Sequence, residues 1–178
     1  MNAQLEAPAH HRRALGVLFA VYLTLLVWTV LFKLHAPFIG RDDMRQVKLV
    51  PFAAGEGFGP SSTLEVMLNL LLFIPFGVYL GMLARRWPVI GAALTIASTS
   101  FALEVTQYVL AVGSSDVTDV IVNTAGGVVG LAIARVVRGR GVARLGVIMT
   151  VLALLAVGAH IASFPTMPAP GAGGVLLL

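Results

Sequence analysis

Carboxylate and amide side chains recur at helical spacing in segments of this sequence that are otherwise apolar. Glu104 and Gln107 lie three residues apart, and Asp119 and Asn123 lie four apart, so each pair would share one face of a helix. Such oxygen-bearing groups can bind a polar head group, carry a proton or hold a hard metal ion. Seven residues form this candidate polar cluster: Glu65, Asn69, Glu104, Gln107, Asp116, Asp119 and Asn123.

The elements that carry these residues are predicted to span a membrane. Of the 178 residues, 58% are hydrophobic and only 11% are charged, and the mean hydropathy is +0.92. A soluble domain has about 25% charged residues. The composition therefore excludes a soluble globular domain, a disordered chain and a nucleic-acid-binding protein. Because the chain has no cysteine, a disulfide framework and thiolate chemistry are excluded as well.

Five apolar segments are long enough to form membrane-spanning helices, since such a helix needs about 20 mostly apolar residues. We predict an all-α, polytopic transmembrane helix bundle with a single domain over residues 1–178. The helices are expected at residues 14–32, 63–84, 88–112, 119–134 and 145–164. Residues 165–178 are rich in glycine and proline and are expected to form a loose tail.

The basic residues orient this bundle through the positive-inside rule. Eight arginines precede the first helix, follow the second, or link the fourth to the fifth: Arg12, Arg13, Arg85, Arg86, Arg135, Arg138, Arg140 and Arg144. Placing all of them in the cytoplasm puts the amino terminus inside and the carboxyl terminus outside. The other four basic residues then lie in an outer loop: Lys33, Arg41, Arg45 and Lys48.

This topology brings the candidate polar cluster into the outer half of the bundle. A carboxylate in hydrocarbon costs at least about 2.5 kcal/mol, so we expect these side chains to face the bundle interior. They would surround a polar pocket that opens to the extracytoplasmic side. A simpler interpretation stays open for several members. Asp116 would cap the fourth helix with Asp119 in its first turn, and the amides would form only interhelical hydrogen bonds.

Small residues also recur at four-residue spacing on two of the predicted helices. Gly77 and Gly81 lie on the second helix, and Gly126, Gly130 and Ala134 lie on the fourth. Stripes of this kind allow a neighbouring backbone to approach closely. We therefore predict that both stripes serve helix packing.

Four motifs resemble those of the VanZ-like family of small bacterial membrane proteins. They are Leu49-Val50-Pro51-Phe52, the stretch from Asn69 to Pro75-Phe76-Gly77, Glu104-x-x-Gln107, and Asp116-x-x-Asp119-x-x-x-Asn123. The motifs occur in the family's order, within about residues 14–135. The resemblance implies a link to glycopeptide resistance of the teicoplanin type, but it supplies no reaction. It adds three outer-loop candidates: Lys48, Pro51 and Phe52.

The chain departs from the family's pattern at two places. Lys48 stands where the family usually has an asparagine. Gly113, Ser114 and Ser115 stand where the family commonly has an arginine just before the acids of the fourth helix. If that arginine pairs with the acids in relatives, Lys48 could replace it in this chain, which is our hypothesis.

Three functions are compatible with these features. We favour a non-enzymatic protein of the bacterial cytoplasmic membrane that binds membrane lipids, a lipid-linked envelope precursor or a lipophilic glycopeptide, without nucleic acid, metal or cofactor. One alternative is an intramembrane enzyme in which Asp116, Asp119 and Glu104 hold Mg²⁺ against a lipid phosphate, although the chain has no established metal-binding repeat and no assigned catalytic residue. The other is a small transporter with Glu104 as its titrating group, although the chain lacks repeat symmetry.

Overall fold

Five helices and one short pair of strands make up the described part of the chain. The structure, a computed structural model, describes residues 9–32, 39–40, 45–53, 61–137 and 140–163. The helices are α1 (Ala9–Phe32), α2 (Thr63–Leu83), α3 (Val89–Leu110), α4 (Val117–Val136) and α5 (Arg140–Ser163), and the strands are β1 (Val47–Lys48) and β2 (Ser115–Asp116). The predicted helical bundle is confirmed, with the strands as an addition. The predicted tail at 165–178 lies outside the described residues.

Within the described residues, α1 to α4 are long and apolar enough to cross a membrane. The α5 helix covers 24 residues, and its described apolar stretch is the shorter segment Ala143–Leu155. Both α1 and α5 begin about five residues before their predicted starts. Arginine is a good helix former but too polar for hydrocarbon. Hydropathy therefore located the apolar spans and missed the polar turns that extend them.

Side-chain caps and a left-handed residue set the other helix ends. The Ser62 hydroxyl accepts a hydrogen bond from the backbone N–H of Glu65 at 3.1 Å at the start of α2. At the start of α4, the Asp116 carboxylate accepts one from the Thr118 N–H at 2.7 Å. The capping interpretation of Asp116 is thus confirmed, and α4 begins two residues before the predicted position 119. The α3 helix ends where Ala111 takes a left-handed φ of 52°.

The helices α2 and α4 run parallel and pack backbone to backbone. A Cβ added to Gly126 would lie 2.2 Å from the Leu70 carbonyl oxygen, and one added to Gly130 would lie 1.9 Å from that of Ile74. Neither position has room for a side chain. The predicted packing role of the small-residue stripe on α4 is therefore confirmed.

Aromatic side chains form the core beside this pair. Tyr22 of α1 and Phe73, Phe76 and Tyr79 of α2 are all buried. The Tyr79 hydroxyl lies 2.5 Å from the hydroxyl of Thr150, which connects α5 to the same core. The aromatic layer thus joins three helices.

The two ends of the bundle differ in chemistry. At the polar end, α1 and α3 finish, α2 and α4 begin, and the two strands pair. The basic end, where α1, α3 and α5 begin, carries Arg13, Arg85, Arg86, Arg135 and Arg144. The acidic residues that the structure describes lie at or towards the polar end: Glu65, Glu104, Asp116 and Asp119. Which end faces the cytoplasm stays a prediction.

Candidate functional site

Two buried carboxylates lie at the interface between α3 and α4. The Asn123 amide donates a hydrogen bond to the Ser100 hydroxyl at 3.0 Å, which fixes the register of these antiparallel helices. One turn closer to the polar end, the same register places Glu104 of α3 level with Asp119 of α4. Both are buried, at 4% and 7% exposure. The structure therefore brings these three predicted cluster members into one interface.

Glu104 also accepts hydrogen bonds from the chain segment that leads into α4. Its carboxylate accepts a hydrogen bond from the backbone N–H of Asp116 at 2.9 Å. Its backbone carbonyl accepts another from the Ser115 hydroxyl at 2.7 Å. Glu104 thus positions β2 and, through it, the capping carboxylate of Asp116.

Lys48 forms an ion pair with Asp116. The parallel strands place Lys48 directly beside Asp116, and the ammonium lies 3.1 Å from a carboxylate oxygen. The two side chains are only 4% and 13% exposed. The pairing that we hypothesised for Lys48 is therefore present, and an equivalent role to the family's arginine stays a hypothesis.

Two hydroxyl groups complete what we call the Lys48–Asp116 network, which consists of Lys48, Ser61, Asp116 and Thr118. The Lys48 ammonium donates to the Ser61 hydroxyl at 2.6 Å, and that hydroxyl donates to the Asp116 carboxylate at 3.2 Å. Ser61 also lies 3.4 Å from the Thr118 hydroxyl. Each charge in the network is therefore compensated by a neighbour, as buried charges require.

The network lowers the pKa of Asp116. Burial by itself would raise the pKa of this carboxyl group. Hydrogen bonds from Thr118, together with the hydrogen bond and positive charge of Lys48, outweigh burial, and the pKa lies below its ordinary value. Asp116 is therefore a stable anion at neutral pH.

The network also holds a strained turn of apolar residues. The Thr118 hydroxyl accepts a hydrogen bond from the Phe52 N–H at 3.0 Å, and the Ala53 N–H donates to the Pro51 carbonyl at 2.7 Å. Phe52 has a φ of 59°, which a bulky residue rarely adopts. Leu49, Val50, Pro51 and Phe52, which we call the apolar turn, are all exposed. The apolar turn is thus held in place by backbone hydrogen bonds while its side chains form an exposed hydrophobic surface.

The remaining members of the predicted cluster occupy other positions at this end. Gln107 is buried and donates a hydrogen bond to the Val30 carbonyl of α1 at 2.8 Å. Gln107 and Asn123 therefore do form the interhelical hydrogen bonds of the simpler interpretation. Glu65 and Asn69 are half-buried on the first turns of α2, where the polar link to α4 runs through Ser61.

Four residues of this region were not predicted as site residues from the sequence: Ser61, Ser100, Ser115 and Thr118. Ser115 and Thr118 flank Asp116 in a polar segment, which is a weak signal of capping chemistry. Ser100 lies four residues before Glu104 and could have been found by helical spacing. Ser61 precedes the helix in a loop where no periodicity exists, so its link to Asp116 depends on the tertiary fold alone.

The described residues do not bring three metal-binding side chains together. Among them, no group of three or more His, Cys, Asp or Glu could hold one metal ion. The Asp116 carboxylate forms an ion pair with the Lys48 ammonium, a cation that would compete with a metal ion for this ligand. That alternative therefore gains no support from the described geometry.

Two cavities in the described part of the chain lie at the basic end. One of about 200 Å³ is lined by Gly81, Arg85, Ala134 and Arg135, and one of about 470 Å³ lies between α1 and α5. The predicted pocket at the polar end stays a prediction. The loop residues 41–44 and 54–60, which adjoin the Lys48–Asp116 network in sequence, lie outside the described residues.

Comparisons with known proteins identify the family. Residues 19–138 match the family model described as VanZ/LLP1. Protein VanZ from Enterococcus faecium is 35% identical over 116 residues, which cover 64% of this chain and 69% of that protein. The chain belongs to the VanZ family. No solved structure matches it.

The VanZ match contains the candidate site at the polar end. It begins within α1 and ends two residues after α4, so it includes the Lys48–Asp116 network and the apolar turn, whereas α5 lies beyond it. Together with the four apolar helices, family membership makes this VanZ-family chain a multi-pass membrane protein.

Proposed function

We propose that this VanZ-family protein binds an amphiphilic molecule of the cell envelope at the outer leaflet of the bacterial cytoplasmic membrane. One observation carries the proposal: the Phe52–Thr118 hydrogen bond couples a buried charged network directly to an exposed apolar turn. An amphiphile presents the same combination, a polar head group joined to a hydrophobic chain. The ligand class is a lipid, a lipid-linked precursor or a lipophilic glycopeptide.

The apolar turn suits contact with acyl chains. Leu49 is 71% exposed, and Val50 and Phe52 are more than half exposed. Contiguous exposed apolar side chains beside polar groups are typical of membrane or ligand contacts. These side chains would contact the hydrophobic part of a ligand whose polar head group lies beside the Lys48–Asp116 network.

The buried polar groups suit a head group. The amide oxygens of Gln107 and Asn123 accept no hydrogen bond from any residue that the structure describes. Both side chains are fully buried, at 1% and 0% exposure, so a ligand hydroxyl or amine would reach these acceptors only by parting the helices. Glu104 and Asp119 add carboxylates that favour a cationic or hydrogen-bond-donating group.

The predicted orientation of the bundle is consistent with an outer-leaflet site. Arginines collect at the basic end, and the positive-inside rule assigns that end to the cytoplasm. The polar end then faces outward, where envelope precursors and glycopeptides are accessible. The resistance implied by the family resemblance follows if binding keeps a lipophilic glycopeptide such as teicoplanin from its target.

The proposal is tested by expressing the full chain in a teicoplanin-susceptible bacterium. Glu104→Gln replaces one buried carboxyl group with an amide, and Leu49→Ser removes one apolar side chain of the apolar turn. Ile90→Ser is the matched control, because Ile90 is 70% exposed at the basic end and Leu49 is 71% exposed. Teicoplanin susceptibility and the lipids that co-purify are measured at equal amounts of membrane-inserted protein.

We expect the wild type and Ile90→Ser to protect equally and to retain the same lipids. Glu104→Gln and Leu49→Ser should return susceptibility towards that of cells without the protein. If both site variants match the wild type in both measurements, the polar end is structural and the proposed function is wrong.

A further inference from the structure

A groove between α1 and α5 has the properties of a separate binding site. It is an open groove with a volume of about 470 Å³, within the range of about 300–1,000 Å³ that is typical of small-molecule sites. Leu15 and Leu18 of α1 and Val147 and Ile148 of α5 line it. The only charged lining residue that the described part of the chain contributes is Arg144. The groove is thus hydrophobic, and its one described charged residue is the positively charged Arg144.

The positive charge at this groove has no acidic partner in the described structure. Arg144 lines the groove, and Arg13 directly precedes its lining residue Ala14. Both arginines are exposed, and neither forms an ion pair with a described residue. The acidic side chains that are described lie towards the opposite end of the bundle. An anion at the groove would therefore meet no described counter-charge.

We propose that this groove binds an anionic membrane phospholipid. One acyl chain would lie along the apolar walls, and the phosphate would bind Arg144, with Arg13 adding charge beside it. Guanidinium groups bind phosphate oxygens in a bidentate geometry, and basic sites between membrane helices favour anionic head groups. The bound lipid would bridge α1 and α5, and the site is independent of the one proposed at the polar end.

The groove needs α5, and α5 lies outside the region of this chain that matches the VanZ family. The family match ends at residue 138, before α5 begins at Arg140. The groove exists only where α5 lies against α1. We therefore expect lipid binding here to depend on α5 side chains, whereas variants at the polar end leave it unchanged.

The experiment measures lipid binding to the full-length purified protein by native mass spectrometry. Detergent micelles are titrated with phosphatidylglycerol or with phosphatidylcholine of the same acyl chains. The variants are Arg144→Gln, which removes the charge, and Ala143→Phe, which fills the groove. Arg86→Gln is the control, because Arg86 is exposed at the same end but does not line the groove.

We expect the wild type and Arg86→Gln to bind phosphatidylglycerol with the same affinity and to prefer it over phosphatidylcholine. Arg144→Gln should lower that affinity about five-fold, the effect expected for one basic residue near an anionic membrane. Ala143→Phe should reduce the stoichiometry by one lipid. Equal binding of both lipids by the wild type, or equal losses in Arg144→Gln and Arg86→Gln, would overturn the proposal. Unchanged stoichiometry in a folded Ala143→Phe variant would do the same.

Discussion

At the scale of single residues, Lys48 and Asp116 show how a loop is secured to the end of a membrane helix. Both are largely buried, and burying either charge alone is unfavourable. Their adjacent positions in the β1–β2 pair allow each to neutralise the other. Asp116 also caps α4, so the same carboxylate serves the loop and the helix.

Lys48→Met should destabilise the protein by about 3 kcal/mol, because it leaves Asp116 without its cation in a largely buried position. The double variant Lys48→Met/Asp116→Asn should recover more than half of this loss, since asparagine keeps the cap without the charge. Unfolding free energies in mixed micelles measure both effects. Arg86→Met is the control, and a double variant no more stable than Lys48→Met would contradict the explanation.

Stability should also depend on pH through Asp116. Its pKa is lower in the folded protein than in the unfolded chain, where the carboxyl group titrates at about 3.8. Its contribution is therefore fully present above that value and is lost as the pH falls through the folded-state pKa. Between pH 7 and 5 the stability difference between wild type and Asp116→Asn should stay constant, and it should shrink below about pH 4. A difference that grows on acidification would exclude this role for Asp116.

At the scale of elements, backbone contact decides the packing of α2 on α4. Glycines at 126 and 130 let the Leu70 and Ile74 carbonyls approach the α4 axis. This contact sets the level of the start of α4 relative to α2, where Ser61 meets Asp116. The small-residue stripe therefore acts on the candidate site through helix position.

Gly130→Ala should lower the stability by about 1–3 kcal/mol or more, since its Cβ would lie 1.9 Å from the Ile74 carbonyl oxygen. Gly16→Ala is the matched control, because an added Cβ there meets nothing within 4 Å. Because alanine is a better helix former than glycine, this control should be neutral or stabilising by up to about 1 kcal/mol. Equal effects of the two substitutions on the unfolding free energy would show that α2 and α4 are not in backbone contact.

The helices also show which structural features hydropathy can predict and which it cannot. Hydropathy predicted the five helices because an apolar run of sufficient length has few alternatives in a membrane. It placed the start of the fourth helix at 119, because the hydrophobic run begins after the polar caps. The true start at Val117 follows from the Asp116 cap, which is a side-chain interaction.

At the scale of the whole molecule, charge divides the bundle into two ends. Arginines border the basic end, while the described carboxylates lie towards the polar end. Such asymmetry orients membrane proteins during insertion. The two proposed sites would therefore face opposite leaflets, with the phospholipid groove on the cytoplasmic side.

Because the chain has no native cysteine, single cysteine variants can report this orientation directly. Ala53→Cys lies at the polar end and Arg86→Cys at the basic end, and both positions are exposed. A membrane-impermeant maleimide should label Ala53→Cys in intact cells and Arg86→Cys only after permeabilisation. The reverse labelling pattern would place the amino terminus outside and move the candidate site to the cytoplasmic face.

The amino-acid sequence by itself determined the membrane class, the number of helices and the residues of the candidate polar cluster. These follow from composition and helical spacing, which depend on neighbours within a few turns. Only the tertiary structure decided that Ser61 links Lys48 to Asp116 and that Thr118 holds the Phe52 turn, a contact between residues 66 apart in sequence. The physical reason is that such contacts depend on the depth and register at which the helices pack. The glycine contacts between α2 and α4 set this register, and they join chain segments that share no local sequence pattern.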